Sequence, residues 1–284
     1  MLAGLPDALT SLERTAVMGI VNVTPDSFSD GGRYATSDAA IAHGIRLWNE
    51  GADIIDAGGE STRPGAISLS SADEQARVLP VIAGLVSAGV IVSIDTMHAD
   101  TARAAVAEGA LLVNDVSGGL ADPEMFGTLA DLNVPCVLMH WRTKASGLTH
   151  DAHYRDVVAE VTAELAQRID FAIAAGVPRT NIILDPGLGF AKEAEHNWAV
   201  LRGLETFMQL GYPLMVGASR KRFLGTLLAD PDGTPRLSDE RDDATTAITA
   251  LCAMLGVWAV RVHEVVGSRD AVRVAAEWRG GGRA

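Results

Sequence analysis

Three polar residues stand at the ends of apolar runs: Asp95, Asn114 and Asp185. Carboxylates accept paired N–H donors, and an asparagine both donates and accepts. A planar heterocycle with an amidine-like edge suits that set. Any one of the three reads equally well as a helix cap; three at three run ends favour a binding role. A second cluster is basic. Ser219-Arg-Lys-Arg222 follows the seventh apolar run and is expected to open a helix, whose dipole favours anions at that end. Arg261-Val-His263 closes the eighth run. Residues two apart on a strand face the same side, so Arg261 and His263 can address one anion, the arginine bidentately. In a chain of formal net charge -13, such a cluster reads as a phosphate or diphosphate site. Asn22 ends the first run and offers a neutral oxygen to a hard cation.

These residues need a scaffold that points them at one place. The eight apolar runs are Val17–Val23, Asp53–Ala57, Val90–Ile94, Leu111–Val116, Pro135–Met139, Asn181–Leu184, Pro213–Val216 and Trp258–Val262. They are rich in Val and Ile, apolar on both faces, as buried parallel strands are. Segments rich in Ala, Leu, Arg and Glu separate them. The alternation predicts an α/β protein with a (β/α)8 TIM barrel in a single domain. Such barrels do their chemistry at the carboxyl ends of the strands and hold phosphate after strands seven and eight. The 284 residues suit one barrel of ~250 residues with a short extension. We expect an N-terminal arm over 1–15, the barrel over 16–279, and a flexible tail over 280–284, with arm and tail free to fray. Helical stripes are expected after a Ser37 cap, after Ser70 or Ser71, over Val157–Ile173, over Ala244–Leu255 and over Val265–Trp278.

Two polar, Gly-containing loops follow the first two strands, Asn22–Gly32 with an isolated Phe28, and Gly58–Gly65 with Ser61, Thr62, Arg63 and Pro64. Loops at this face are usually functional, and these are expected to order only with ligand. His140, His150 and His153 lack metal-ligand spacing and read as ordinary loop histidines. Cys136 and Cys252 lie within a strand and a helix and read as buried thiols. The Gly187-Leu-Gly189 pair lacks the rest of a dinucleotide fingerprint. The acidic balance argues against nucleic-acid or anionic-membrane binding. No signal-like start and no apolar stretch of ~18 residues is evident, so a cytoplasmic location is expected.

Together the motifs resemble the dihydropteroate synthase family, the sulfonamide targets of the folate pathway. The matching segments are GIVNVTPDSFSDGG, DAGGESTRPGA, SIDTM, NDVSGG, VLMH, DPGLGFAK, GASRKRFLG and RVHEV, in order from Gly19 to Val265. EHNWAVL and VLMHWR are similar to actinobacterial members. The resemblance implies a transferase joining p-aminobenzoate to 6-hydroxymethyl-7,8-dihydropterin diphosphate, with Mg2+ as cofactor, working as a homodimer. It assigns Asp95, Asn114, Met139, Asp185, Phe190, Gly217 and Lys221 to the pterin, and Asn22, Arg261 and His263 to the diphosphate, with the metal on Asn22. It assigns Phe28, Thr62, Arg63, Pro64 and Ser219 to p-aminobenzoate. Asp95, Asp185, Lys221 and Arg261 become the catalytic set. His98, where many members carry another residue, should lie outside the pterin pocket. A pterin-dependent methyltransferase, a silent pterin-binding paralogue and another phosphate-handling barrel remain alternatives, since a fold does not fix a function. The Asn22–Gly32 loop and the Ser219-Arg-Lys221 segment favour the synthase.

Overall fold

The computed structural model describes residue 2 and residues 4–23, 33–60, 69–142 and 152–280, with backbone alone at 33–36. Phe28, Thr62, Arg63, Pro64 and His150 therefore lie outside the described residues.

Among these residues eight parallel strands form one sheet. They are β1 (Ala16–Asn22), β2 (Ile54–Gly58), β3 (Val92–Asp95), β4 (Leu112–Asp115), β5 (Cys136–Met139), β6 (Ile182–Asp185), β7 (Met215–Val216) and β8 (Ala259–Val262). Their order is β6-β5-β4-β3-β2-β1-β8-β7. A parallel bridge between Leu184 and Leu214 joins the two ends, so the sheet closes into the (β/α)8 barrel. The helices are α1 (Asp7–Thr10), α2 (Arg33–Asn49), α3 (Ser71–Ser87), α4 (Ala99–Ala107), α5 (Met125–Leu132), α6 (Val157–Ala174), α7 (Ala194–Arg202), α8 (Leu204–Met208), α9 (Arg222–Leu227), α10 (Asp242–Leu255) and α11 (Val266–Trp278).

Strand alternation sorts the core into two parts. Val17, Val21, Ile55, Ile94, Val113, Leu138, Leu184 and Val260 face outward under the helices. Met18, Ile54, Leu112, Val137, Ile183, Met215 and Ala259 fill the barrel interior. One step further along each strand, the same inward phase arrives at Asn22, Asp56, Asp95, Asn114, Met139, Asp185, Gly217, Arg261 and His263. Period two alone thus gathers the polar residues at the carboxyl end. The opposite end is sealed by the N-terminal arm. Leu2 and Leu9 are buried in the interior cluster, so these described residues pack rather than fray.

Local signals mark three of the helix ends. Ser70 accepts from the Asp73 N–H at 3.1 Å. Asp156 accepts from the N–H groups of Val158 and Ala159, starting α6. Gly256 ends α10 at φ 82, a left-handed position that glycine takes without strain. Two boundaries differ from the sequence expectation. The helix assigned to a Ser37 cap begins at Arg33, because Arg33–Thr36 contains no breaker and Gly31-Gly32 precedes it. The helix expected from the basic triplet begins only at Arg222 and has six residues. Arg220 takes φ 57, which breaks the helical path.

Candidate active site

The inward polar residues line a cavity of about 950 Å³ at the carboxyl end of the barrel, together with Phe190, Lys192, Ser219 and Lys221. Its base is a charged cluster. Arg261 donates through Nε to Asp56 Oδ2 at 2.6 Å and through Nη2 to Asp95 Oδ2 at 2.6 Å. Asn114 Nδ2 donates to the same Asp56 oxygen at 3.0 Å. A carboxylate beside an arginine only accepts, so the amide nitrogen of Asn114 must face Asp56. Its Oδ1 is left buried without a partner among the described residues, as is Asp56 Oδ1. Orphaned buried acceptors cost free energy unless something fills them, so Asn114 is set up to accept from a ligand N–H.

Asp185 faces this cluster across the barrel. Its Oδ1 accepts from the Gly187 N–H at 2.7 Å, which leaves Oδ2 uncommitted to that turn. Burial raises its pKa, opposed by the Gly187 N–H and by Lys221. Lys221 stands with Nζ 4.2 Å from the centre of the Phe190 ring, a cation–π contact. Burial pulls the Lys221 ammonium down to about 8, against the attraction of Asp185. Burial likewise pushes Asp95 up to about 7, with Arg261 opposing and Asp56 reinforcing.

At the rim, Ser219 and His263 interlock. The His263 N–H donates to Ser219 Oγ at 3.1 Å, and Ser219 Oγ lies 2.9 Å from His263 Nδ1. The hydroxyl, accepting from the backbone, still has its own hydrogen to donate, and donating it to Nδ1 is the arrangement that leaves the ring hydrogen on Nε2. Burial, then Arg261 and Arg220, hold His263 down at about 3. It is therefore neutral, and it faces the same side as Arg261, as the i, i+2 spacing predicts, as a hydrogen-bond donor. Asn22 closes the wall next to it.

The basic triplet divides. Arg220 forms a two-point pair with Asp242 at 2.7 Å, Lys221 enters the cavity wall, and Arg222 starts the short α9. The expected anion site at a helix N-terminus is replaced by single side chains, because Asp242 of α10 captures the first arginine. His140 differs too. It is 2% exposed and hydrogen-bonded on both ring nitrogens, to Glu164 and Lys192, which is a buried network rather than a loop histidine. His98 sits 3.6 Å from Glu60, away from the cavity. Cys136 and Cys252 are buried free thiols. Asp56 joins the site without having been among the expected residues; its signal in the sequence is an acid inside the otherwise apolar stretch Ile54-Ile-Asp-Ala57.

This geometry has close parallels. The profile of the pterin binding enzyme family matches residues 18–263. A dihydropteroate synthase from Mycobacterium leprae, an actinobacterium, is 52% identical over 94% of this chain and 95% of its own. Among solved structures, Xanthomonas albilineans dihydropteroate synthase with 4-aminobenzoic acid superposes with a TM-score of 0.85 at 43% identity, covering 94% of this chain and 93% of that one. The same enzyme in complex with 7,8-dihydropteroate gives 0.82 at 41% identity, over 94% and 93%. With the family profile spanning β1 to β8 and half of all residues shared with a curated relative, the chain belongs to the pterin binding enzymes, among the dihydropteroate synthases.

Proposed function

We propose that this chain joins p-aminobenzoate to 6-hydroxymethyl-7,8-dihydropterin diphosphate, releasing diphosphate and 7,8-dihydropteroate. The observation that carries this reading is the pairing of an acceptor set, Asn114 Oδ1 and Asp185, with Arg261 in one cavity. Acceptors suit the amidine-like edge of a pterin, and the arginine suits its leaving group. The assay is dihydropteroate formation from the two substrates, with and without Mg2+; an enzyme inert under both conditions would overturn the reading.

In the proposed division of labour, Asp95, Asn114 and Asp185 hold the pterin edge. Met139, Phe190 and Gly217 line its slot, and Lys221 stacks against Phe190. Among the described residues Arg261 spends two of its five N–H donors on Asp56 and Asp95, which leaves three for diphosphate oxygens. His263 offers its Nε2–H to the same group. When the bond from the pterin methylene to oxygen breaks, its electron pair leaves with diphosphate. The remaining cation is spread into the dihydropterin ring and faces the Asp95 and Asp185 carboxylates, which favour it electrostatically. The aniline nitrogen of p-aminobenzoate then attacks the methylene with its lone pair, and the proton it sheds passes to the released diphosphate or to solvent. Ser219 belongs to the p-aminobenzoate end of the site, as do Phe28, Thr62, Arg63 and Pro64, which lie outside the described residues.

A Mg2+ ion fits this site through Asn22. The ion keeps most of its ligands as water and substrate oxygen, so one neutral protein oxygen at the cavity rim suffices. Among the described residues no cluster of three His, Cys, Asp or Glu side chains could hold a metal alone, in keeping with a metal that arrives with the diphosphate. When bound it would neutralise leaving-group charge.

The pH dependence follows from the cluster. Asp95 must shed its proton to hold the cationic edge, and Lys221 must keep its own. We expect kcat/KM to rise through pH about 7 and fall above about 8, the two limbs belonging to the coupled set. Asp95→Asn should erase the rising limb; a variant profile that keeps it would remove Asp95 from the assignment. Stability runs the other way on the acid side. The unfolded chain releases the Asp95 proton near the usual carboxylate value and the folded chain only near 7, so stability falls across that window.

The barrel domain over 16–279 is proposed as the functional unit, active as a homodimer. No helix among the described residues is long and apolar enough to cross a membrane. Leu251, Met254 and Leu255 on α10, with Val274 and Trp278 on α11, are all exposed. They follow helical spacing on two helices packed together, and an apolar face of that kind marks an interface. Sedimentation equilibrium should give twice the chain mass, and Trp278→Glu with Leu251→Glu should halve it. A wild-type monomer would dismiss the dimer.

A further inference from the structure

Lys192 takes no part in the steps above, yet it is a buried amine beside the pterin slot, 9% exposed, whose pKa burial lowers to about 7 against the attraction of Asp185 and Glu164. Its Nζ lies 2.9 Å from His140 Nδ1, 3.1 Å from the Gly187 carbonyl oxygen and 3.2 Å from that of Phe190. Those contacts use all three hydrogens of an ammonium. None is left for substrate. Below pH about 7, where Lys192 keeps its proton, it has no lone pair to offer, so His140 Nδ1 accepts and the ring hydrogen sits on Nε2. That nitrogen faces Glu164 Oε2 at 2.9 Å. Arg142 holds Glu164 from the other side. The result is a chain running from α6 through the end of β5 into the loop after β6.

We infer that Lys192 is a positioning residue for the pterin slot: it anchors the loop Pro186–Ala191 through two carbonyls and thereby sets where Asp185 and Phe190 meet the ring. The inference rests on the pterin reading of the cavity.

The loop needs an anchor. Gly187, Gly189 and Ala191 all take positive φ, at 71, 75 and 48, and alanine adopts that conformation only against a cost. The turn starts on Asp185 Oδ1 and carries Phe190 into the cavity wall. A second tie comes from Asn197, whose Oδ1 accepts from Gly189 N at 2.6 Å and whose Nδ2 donates to the Lys192 carbonyl at 3.3 Å. The two ties interleave along one turn, Lys192 at residues 187 and 190 and Asn197 at 189 and 192. Glycine is required at 187 because a Cβ there would run into the His140 carbonyl oxygen. The loop thus lies flat against β5, and Lys192 reaches back beneath it. Removing the amine takes one hydrogen bond from each of two carbonyls, of which Gly187 keeps the Phe190 N–H at 3.1 Å, and deprives the buried His140 Nδ1 of its Lys192 contact, so the loop loses the tie that holds it against the end of β5.

The experiment compares wild type with Lys192→Met, using calorimetric titration with 6-methylpterin and separately with inorganic diphosphate. Steady-state constants for both substrates and 15N resonances of the His140 ring complete it. We expect 6-methylpterin to bind about tenfold more weakly or worse, with diphosphate affinity and the KM for p-aminobenzoate unchanged. In wild type below pH about 7 the His140 spectrum should show the hydrogen on Nε2. In Lys192→Met that ring should protonate at higher pH, because a neighbouring cation has gone while Glu164 remains. Unchanged 6-methylpterin affinity would overturn the inference, and so would equal losses for pterin and diphosphate, which mark general unfolding. If Lys192→Met does not fold, His140→Gln takes its place, with the same pterin-selective loss expected and its absence equally decisive. A wild-type chain that binds no 6-methylpterin fails the pterin reading itself; a binding wild type with an indifferent variant fails only this inference.

Discussion

Arg261→Ala is expected to lower kcat by roughly 10²–10³-fold, the usual cost of removing one preorganised donor from developing negative charge, and to destabilise the fold as well. The i, i+2 spacing with His263 suggests a residue that serves only the ligand and is dispensable for folding. The structure shows it holding two carboxylates, Asp56 with no exposed side-chain surface and Asp95 with 10%. Removing one partner of a buried pair costs about 3–5 kcal/mol. Because a fifth of the arginine side chain remains accessible, the lower end of that range applies. Proton uptake relieves part of the loss, since Asp95 already sits at about 7 with Arg261 holding it down. The destabilisation should therefore be larger at pH 8 than at pH 6, as read from urea midpoints. Arg261→Ala combined with Asp56→Asn should recover stability without recovering turnover. A folded single variant with wild-type constants for the pterin diphosphate would sink the assignment, and recovery of activity in the double variant would move the diphosphate contact elsewhere.

The barrel was legible because each strand is short, apolar and buried on both sides, and observed strand ends fall within two residues of the runs read from the sequence. Period two then fixes which residues share the interior, so Asp95, Asn114, Asp185 and Arg261 come together without any knowledge of helix packing. Asp56 obeys the same rule and was still missed. An acid within a strand reads as an interruption until Arg261 is seen opposite it, 205 positions away. Lys192 and His140 were hidden for a similar reason, since their link spans 52 positions and joins two different loops. The basic triplet reads as a helix start, whereas the helix begins at Arg222, although helix propensity favours continuity through Arg220. The left-handed φ there answers to Asp242 and Thr245 in α10, which no local pattern encodes. Spacing pairs His263 with Arg261 on one anion but says nothing of its charge, and burial beside Arg261 holds the imidazole neutral.

Asp185 allows the ligand role and the structural role to be separated by choice of substitution. Asp185→Ala should abolish measurable pterin binding, but it also deletes the acceptor for Gly187 N–H and so loosens the loop that carries Phe190. Asp185→Asn retains an oxygen for that turn and places an amide where the second carboxylate oxygen meets the pterin edge. Losing a charged hydrogen bond costs about 1.5–3 kcal/mol, roughly ten- to a hundredfold in affinity, and two facing donors add to it. The asparagine variant should thus fold with a wild-type melting temperature, bind inorganic diphosphate normally and fail with 6-methylpterin. It should also leave a second mark. Asp185 is the chief group holding the Lys221 charge against burial, so its loss lets Lys221 give up its proton at lower pH. The descending limb of the residual activity should move to the acid side of about 8. If Asp185→Asn binds 6-methylpterin as tightly as wild type, the pterin edge lies elsewhere in the cavity. If binding fails but the descending limb stays in place, Lys221 is not the group that titrates there, and the coupling between these two residues across the barrel mouth is ruled out.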